Sequence, residues 1–111
     1  MENCVFCKII KGEIPSKKVY EDDLMLVIHD NCPVAPCHVL ILPKIHMANI
    51  LTADRDFIAH VTDKLGELTK LLGVTEDGFR LVINTGKDGG QTVDHLHLHL
   101  LGGAPLGWPP C

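Results

Sequence analysis

Imidazole and leucine alternate strictly in the run His95-Leu96-His97-Leu98-His99-Leu100-Leu101. A period of two belongs to an extended strand, so three imidazoles stand on one face and the leucines on the other. The leucine face needs a core to cover it. A single histidine on such a strand is commonly structural, but three in alternation on one face are not there for packing alone. Two kinds of chemistry use them: neutral imidazole is a frequent metal ligand, and it is also a good nucleophile near neutral pH. The preceding stretch Asn84-Thr85-Gly86-Lys87-Asp88-Gly89-Gly90-Gln91-Thr92 bears on the choice. Its glycines let the backbone approach a ligand closely, and exposed main-chain N–H groups suit an anion. A phosphate-cradling loop beside a row of imidazoles points to attack on phosphorus.

With 111 residues the chain is expected to form one domain, residues 1–111, around one core. A net charge of -4 argues against a surface that coats nucleic acid, which relies on clustered Lys and Arg. No apolar run has the length of a membrane span, and Met1-Glu2-Asn3-Cys4 has neither a basic nor an apolar leader region. A cytoplasmic protein without nucleic-acid or membrane partners is the expectation. Five cysteines, an odd number, argue against a disulfide framework. Cys4 and Cys7 have metal-ligand spacing, although one such pair alone is a weak signal; Cys32, Cys37 and Cys111 read as free thiols.

Along the chain, residues 7–11 read as a helical turn stopped by Gly12, and 19–21 and 24–29 as strands around the Asp22-Asp23 turn. Asp30 ends the second strand, where a turn-forming Asp is the ordinary reading, given Asn31 and Pro33. Residues 38–43 form the next strand, antiparallel to its predecessor, with His38 at its start and His46 beyond its Pro43 stop. Thr52 is a plausible N-cap for one long helix. Its apolar stripe is Phe57, Val61, Leu65, Leu68 and Leu72, ended by Gly73, with His60 on the solvated face. Gly66 inside that helix marks a close approach to another helix. A strand over 79–84, the glycine loop and the histidine strand follow. The order predicts an α+β fold with an antiparallel sheet of about five strands, one long helix and one short one.

The segment from Gly89 to Gly103, with its His-Leu-His-Leu-His-Leu-Leu core, resembles the signature of the histidine-triad (HIT) family, and its Hint-like, purine nucleoside phosphoramidase branch in particular. The likeness extends through Ile28-His29-Asp30, Pro36-Cys37-His38, Ile41-Leu42-Pro43-Lys44 and Trp108-Pro109-Pro110. It implies a HIT-like fold and a hydrolase acting on the α-phosphate of purine nucleoside monophosphate derivatives: phosphoramidates, and acyl or dinucleotide anhydrides. In that reading His97 is the nucleophile and forms a nucleotidyl-histidine, with His99 and His38 near the phosphate oxygens. Gly90, Gln91, Thr92 and Val93 flank the phosphate and leaving group, Asn84 meets sugar or phosphate, and Asp30 meets the ribose. Ile28, with His29 nearby, borders the base. Where this chain has Thr92, many relatives carry serine, and the extra methyl bears on which leaving groups fit. The resemblance further implies a homodimer, with Trp108 packed on the partner. It also implies a structural zinc on Cys4, Cys7, His46 and His95, and no catalytic metal.

Three other readings compete. A nucleotidyl transferase would pass the nucleotide to a phosphate acceptor instead of water. A non-catalytic nucleotide-binding interaction module would need no nucleophile. A hydrolytic zinc enzyme would use His97 and His99 as ligands, but it lacks a supporting carboxylate close by in sequence.

Overall fold

The computed structural model describes residues 3–109, so the expectations for Met1, Glu2, Pro110 and Cys111 lie outside the described residues. A short helix α1 (Val5–Ile10) precedes β1 (Lys18–Glu21), β2 (Met25–His29) and β3 (Cys37–Pro43). The long helix α2 (Arg55–Leu72) then leads to β4 (Phe79–Val82) and β5 (Leu98–Gly102). The strands form one five-stranded sheet in the order β1-β2-β3-β5-β4, and each neighbouring pair is antiparallel. This is the expected α+β architecture.

Period-two alternation sorts the apolar residues between the sheet's two faces. Met25, Val27, Val39, Ile41, Leu98 and Leu100 bury one face against Phe57, Val61 and Leu68 of α2. Leu26, Ile28, Leu40 and Leu42 bury the other against Phe6 and Ile9 of α1. The register pairs Leu40 with His99 and His38 with Leu101, which puts both histidines on the α1 side. Among the described residues, no helix is long and apolar enough to cross a membrane.

Three local readings needed correction. Thr52 does not cap α2: it lies in the 3-10 turn Ile50–Thr52, where it forms a reciprocal capping box with Asn49. The cap of α2 is Asp54, whose carboxylate accepts from the Asp56 N–H at 2.9 Å. The histidine strand starts at Leu98, because continuing its register with β3 would oppose Leu96 to Pro43, which has no N–H to give. The segment before it is pinned instead by the Leu96 N–H to the Met47 carbonyl, 2.6 Å. His60 is not a free surface residue, since its Nε2 lies 2.6 Å from the Asp22 carboxylate and ties α2 to the β1–β2 turn.

Asp22 also accepts from the Tyr20 hydroxyl and from the Leu24 and Met25 N–H groups. Burial works to raise its pKa, but the His60, main-chain and Tyr20 hydrogen bonds outweigh that and hold it at about 2. A carboxyl depressed in the fold stabilises it fully above the unfolded value of about 3.9, and the contribution is lost as pH falls through about 2. Asp22→Asn should therefore lower the urea midpoint at neutral pH and flatten its decline between these two values. An unchanged acid slope in the variant would exclude Asp22 as the responsible group.

Candidate active site and metal cluster

His97 is buried, at 7% exposure, with its ring edge-on to Phe6 at 5.0 Å and to His99 at 5.2 Å. Its Nδ1 lies 2.7 Å from the His95 carbonyl oxygen. A carbonyl only accepts, so Nδ1 carries the proton, and in the neutral ring Nε2 keeps its lone pair. Nε2 has no protein partner among the described residues, so the neutral ring has one tautomer, with one nitrogen free to attack.

The same logic runs through the neighbouring pair. The Val34 main-chain N–H donates to His38 Nδ1 at 3.1 Å, so the His38 proton is on Nε2. That N–H lies 2.9 Å from His99 Nδ1 and 3.4 Å from an Asp30 carboxylate oxygen. His99 therefore accepts at Nδ1 and carries its own proton on Nε2. Burial lowers the His99 pKa, with His97 and His38 adding to the effect, which favours its neutral form. Asp30, His38 and His99 converge closely enough to resemble a metal site. The tautomers argue otherwise, because His38 presents an N–H and not a lone pair. The trio is a hydrogen-bonded chain that ends in a donor.

Around these rings the other predicted residues divide. Asn84 and Gln91 hold the glycine loop. The Asn84 side chain donates to the Gly89 carbonyl at 2.7 Å, and the Gln91 amide donates to the Ala48 and Val93 carbonyls while accepting from the Gly86 N–H. Gln91, expected at the phosphate, thus has its side chain committed to shaping the loop. Gly89 has a reason to be glycine, since a Cβ there would collide with the Thr85 backbone. Thr92 and Val93 line a hollow of about 880 Å³ together with Asn3, Cys4, Val5, His46 and Asp94. His38, Asn84 and His99 line another of about 520 Å³ towards Arg80 and Leu106. The larger hollow opens on the cysteine side and the smaller on the donor chain, so size does not identify which receives phosphate. Ile28 is buried beneath α1, which makes any base slot there a seam between α1 and β2. His29 alternates with Ile28 onto the opposite face and borders a smaller recess with Asp30 and His38.

The second constellation is Cys4, Cys7, His46 and His95, whose ligand atoms all lie within 4.8 Å of one another. His95 Nε2–H donates to the Pro43 carbonyl at 3.1 Å, which leaves the Nδ1 lone pair facing the cluster. Burial holds the His95 pKa down at about 4, against the pull of the Pro43 bond, so the ring is in the neutral form that ligates. From His95 Nδ1, His46 Nδ1 lies at 3.1 Å, Cys4 Sγ at 3.3 Å and Cys7 Sγ at 3.5 Å; Cys7 Sγ is 3.3 Å from His46 Nδ1. Zinc bond lengths imply ligand separations of ~3.3 to 3.8 Å in a tetrahedron, close to this set. The donors fit a divalent metal of zinc's preference, and all four of its positions would be filled by protein.

The family model described as the HIT domain matches residues 11–106. The chain belongs to the HIT family. Among relatives of this HIT protein, the purine nucleoside phosphoramidase of Escherichia coli (strain K12) is 43% identical over 109 residues, spanning 96% of this chain and 92% of that one. The structure of a HIT family hydrolase from Legionella pneumophila Philadelphia 1 superimposes with a TM-score of 0.92 at 46% identity, over 98% of this chain and 100% of the other. A histidine triad nucleotide-binding protein from Candida albicans gives 0.85 at 38% identity, over 96% and 83%.

Sequence reasoning missed three participants in these sites. Phe6 packs on two of the triad rings, the Pro43 carbonyl orients His95, and the Val34 N–H fixes the tautomer of His38. Only Phe6 carried a signal, as the one aromatic residue between Cys4 and Cys7. The other two act through main-chain atoms, which residue identity does not reveal.

Proposed function

We propose that this HIT protein is a hydrolase acting on the α-phosphate of purine nucleoside monophosphate derivatives, phosphoramidates foremost, through a nucleotidyl-histidine on His97. The observation that carries the reading is the commitment of His97 Nδ1 to the His95 carbonyl, which leaves Nε2 as an unpartnered lone pair. The kinship with a purine nucleoside phosphoramidase and a HIT family hydrolase supports it.

In the first step the Nε2 lone pair bonds to phosphorus. The P–N bond to the leaving amine breaks, and the amine departs with that electron pair and is protonated from solvent. Water then attacks the same phosphorus and displaces His97 Nε2, releasing the nucleoside monophosphate. His99 Nε2–H, held by the chain through His38, donates to the charge that develops on phosphate oxygen. Gly90, Thr92 and Val93 face the phosphate and leaving group, and Asp30 and Asn84 the sugar side. Ile28 borders the base, with His29 nearby at the end of the same strand. Mixing the protein with adenosine 5′-phosphoramidate under acid quench should give a transient mass gain of one nucleotidyl unit; wild-type protein with neither adduct nor turnover on any such substrate would return the binding-module reading.

Zinc is the metal that the second cluster suits. Bound to Cys4, Cys7, His46 and His95, it would supply a closed tetrahedral cross-link between the N-terminal segment and the core, with no open position for water. About one zinc per chain is expected by elemental analysis, and none in a Cys4→Ala/Cys7→Ala variant. Full occupancy in that variant would exclude these ligands.

The protein is also proposed to act as a homodimer. Phe79, Leu81 and Ile83 are partly exposed along the β4 edge and beyond it, Leu71 is 62% exposed, and the space around Gly66 is open. Trp108 is 80% exposed and has the Arg80 guanidinium 5.9 Å from its ring centre. Light scattering at micromolar concentration should report twice the 12.2 kDa chain mass, and a monomer there would count against the pairing.

A further inference from the structure

The metal cluster and the attacking histidine share structure. His95 offers its ring to the cluster and its carbonyl to His97 Nδ1. Phe6, between Cys4 and Cys7 in the chain, stands edge-on to both rings, 5.7 Å from His95 and 5.0 Å from His97. We propose that Phe6 is a positioning residue for His97, and that metal at Cys4, Cys7, His46 and His95 holds it in place, so that metal and nucleotide each tighten the other's binding.

The argument begins with the size of α1. Six residues are far too few for a helix to persist by propensity, so its position depends on what ties it down. Two ties are present: Phe6 and Ile9 buried against Leu26, Ile28, Leu40 and Leu42, and the two cysteines at its start. Metal would add a cross-link at the helix start and at the same time immobilise His95, on whose carbonyl the His97 tautomer depends. On the ligand side, Val93 and Ile28 both pack in the α1 cluster, so the nucleotide surface and the metal cluster require the same placement of one short helix. Two ligands that select one conformation of a shared element are coupled, and the coupling is reciprocal.

This rests on the nucleotide reading given above, and the tests separate the two. The first is ¹⁵N NMR of the His97 ring, which needs no substrate. Zinc-loaded protein should show one tautomer with the proton on Nδ1, and chelation should convert it to an averaged signal while the far-UV spectrum stays folded. A tautomer unaffected by metal removal, or a chelated protein that is unfolded altogether, would overturn the positioning role. The second is zinc affinity by chelator competition with and without saturating adenosine 5′-monophosphate. The nucleotide should tighten zinc by about tenfold, and zinc should tighten the nucleotide by the same factor. Phe6→Leu keeps all four ligands and should still bind zinc, with that ratio falling towards one. Equal zinc affinities in a wild-type protein that still forms the covalent adduct would sink the coupling alone. Coupled binding without adduct or turnover would sink the hydrolase reading alone.

Discussion

His97→Ala is expected to bind adenosine 5′-monophosphate within about tenfold of the wild type while its turnover falls roughly ten-thousand-fold or more, the scale seen when a covalent nucleophile is removed. The separation of the two effects follows from what the substitution leaves behind. The glycine loop is held by Asn84 and Gln91 through hydrogen bonds that do not involve His97, and the donor chain Val34–His38–His99 is complete without it. What disappears is the Nε2 lone pair and with it the P–N bond of the intermediate. Rapid-quench mass analysis should accordingly show no nucleotidyl adduct in the variant at any time point, and equilibrium dialysis should show the nucleotide still bound. Because His97 is buried against Phe6, some stability will also be lost, so folding must be checked by thermal denaturation before rates are compared. A variant that turns over phosphoramidate at the wild-type rate would rule out the covalent route.

Much of the fold was legible because it rests on periodicity. Leu96, Leu98 and Leu100 of the triad run, the apolar stripe from Phe57 to Leu72 and the Gly73 stop each state their environment in the residue types alone, and the structure places those leucines and that stripe in one core. The helix start was misplaced because Thr52 and Asp54 are both competent caps, and only the competing bond to Asn49 decides between them. Within the site, the grouping of Cys4, Cys7, His46 and His95 came from resemblance. No local pattern joins residues so far apart in sequence, and it takes the pairing of β3 with β5 to bring His95 beside the Pro43 turn. Tautomers were legible only in part: a nucleophilic His97 requires a backbone carbonyl at its other nitrogen, and the His95 carbonyl is there, but which main-chain groups fix the rings was beyond reach for a different reason. They depend on the Val34 N–H and the His95 carbonyl, and every residue has such groups. The same holds for Gln91, where the type fits a phosphate contact equally well and only the positions of the Ala48, Val93 and Gly86 main-chain atoms assign its amide to the loop.

The relay from Val34 through His38 to His99 makes a sharper claim than either residue alone. If His99 acts by presenting Nε2–H to phosphate oxygen, then removing it costs one preorganised donor, about a hundredfold in kcat or somewhat more. His38→Ala leaves His99 in place but takes away the N–H that holds Nδ1 as an acceptor. The ring is then free to move its proton to Nδ1 and turn a lone pair towards the anion, which repels where it should attract. His38→Ala should therefore lose nearly as much as His99→Ala. Once one residue of a relay is gone, the other has little left to contribute, so the double variant should be hardly slower than either single one, unlike independent sites, whose free energies add. The measurement is a double-mutant cycle on kcat for adenosine 5′-phosphoramidate, with binding of adenosine 5′-monophosphate as the control for a general loss of structure. Fold-losses that multiply in the double variant would mean that His38 and His99 act separately, and that the 2.9 Å contact between them does not set the tautomer.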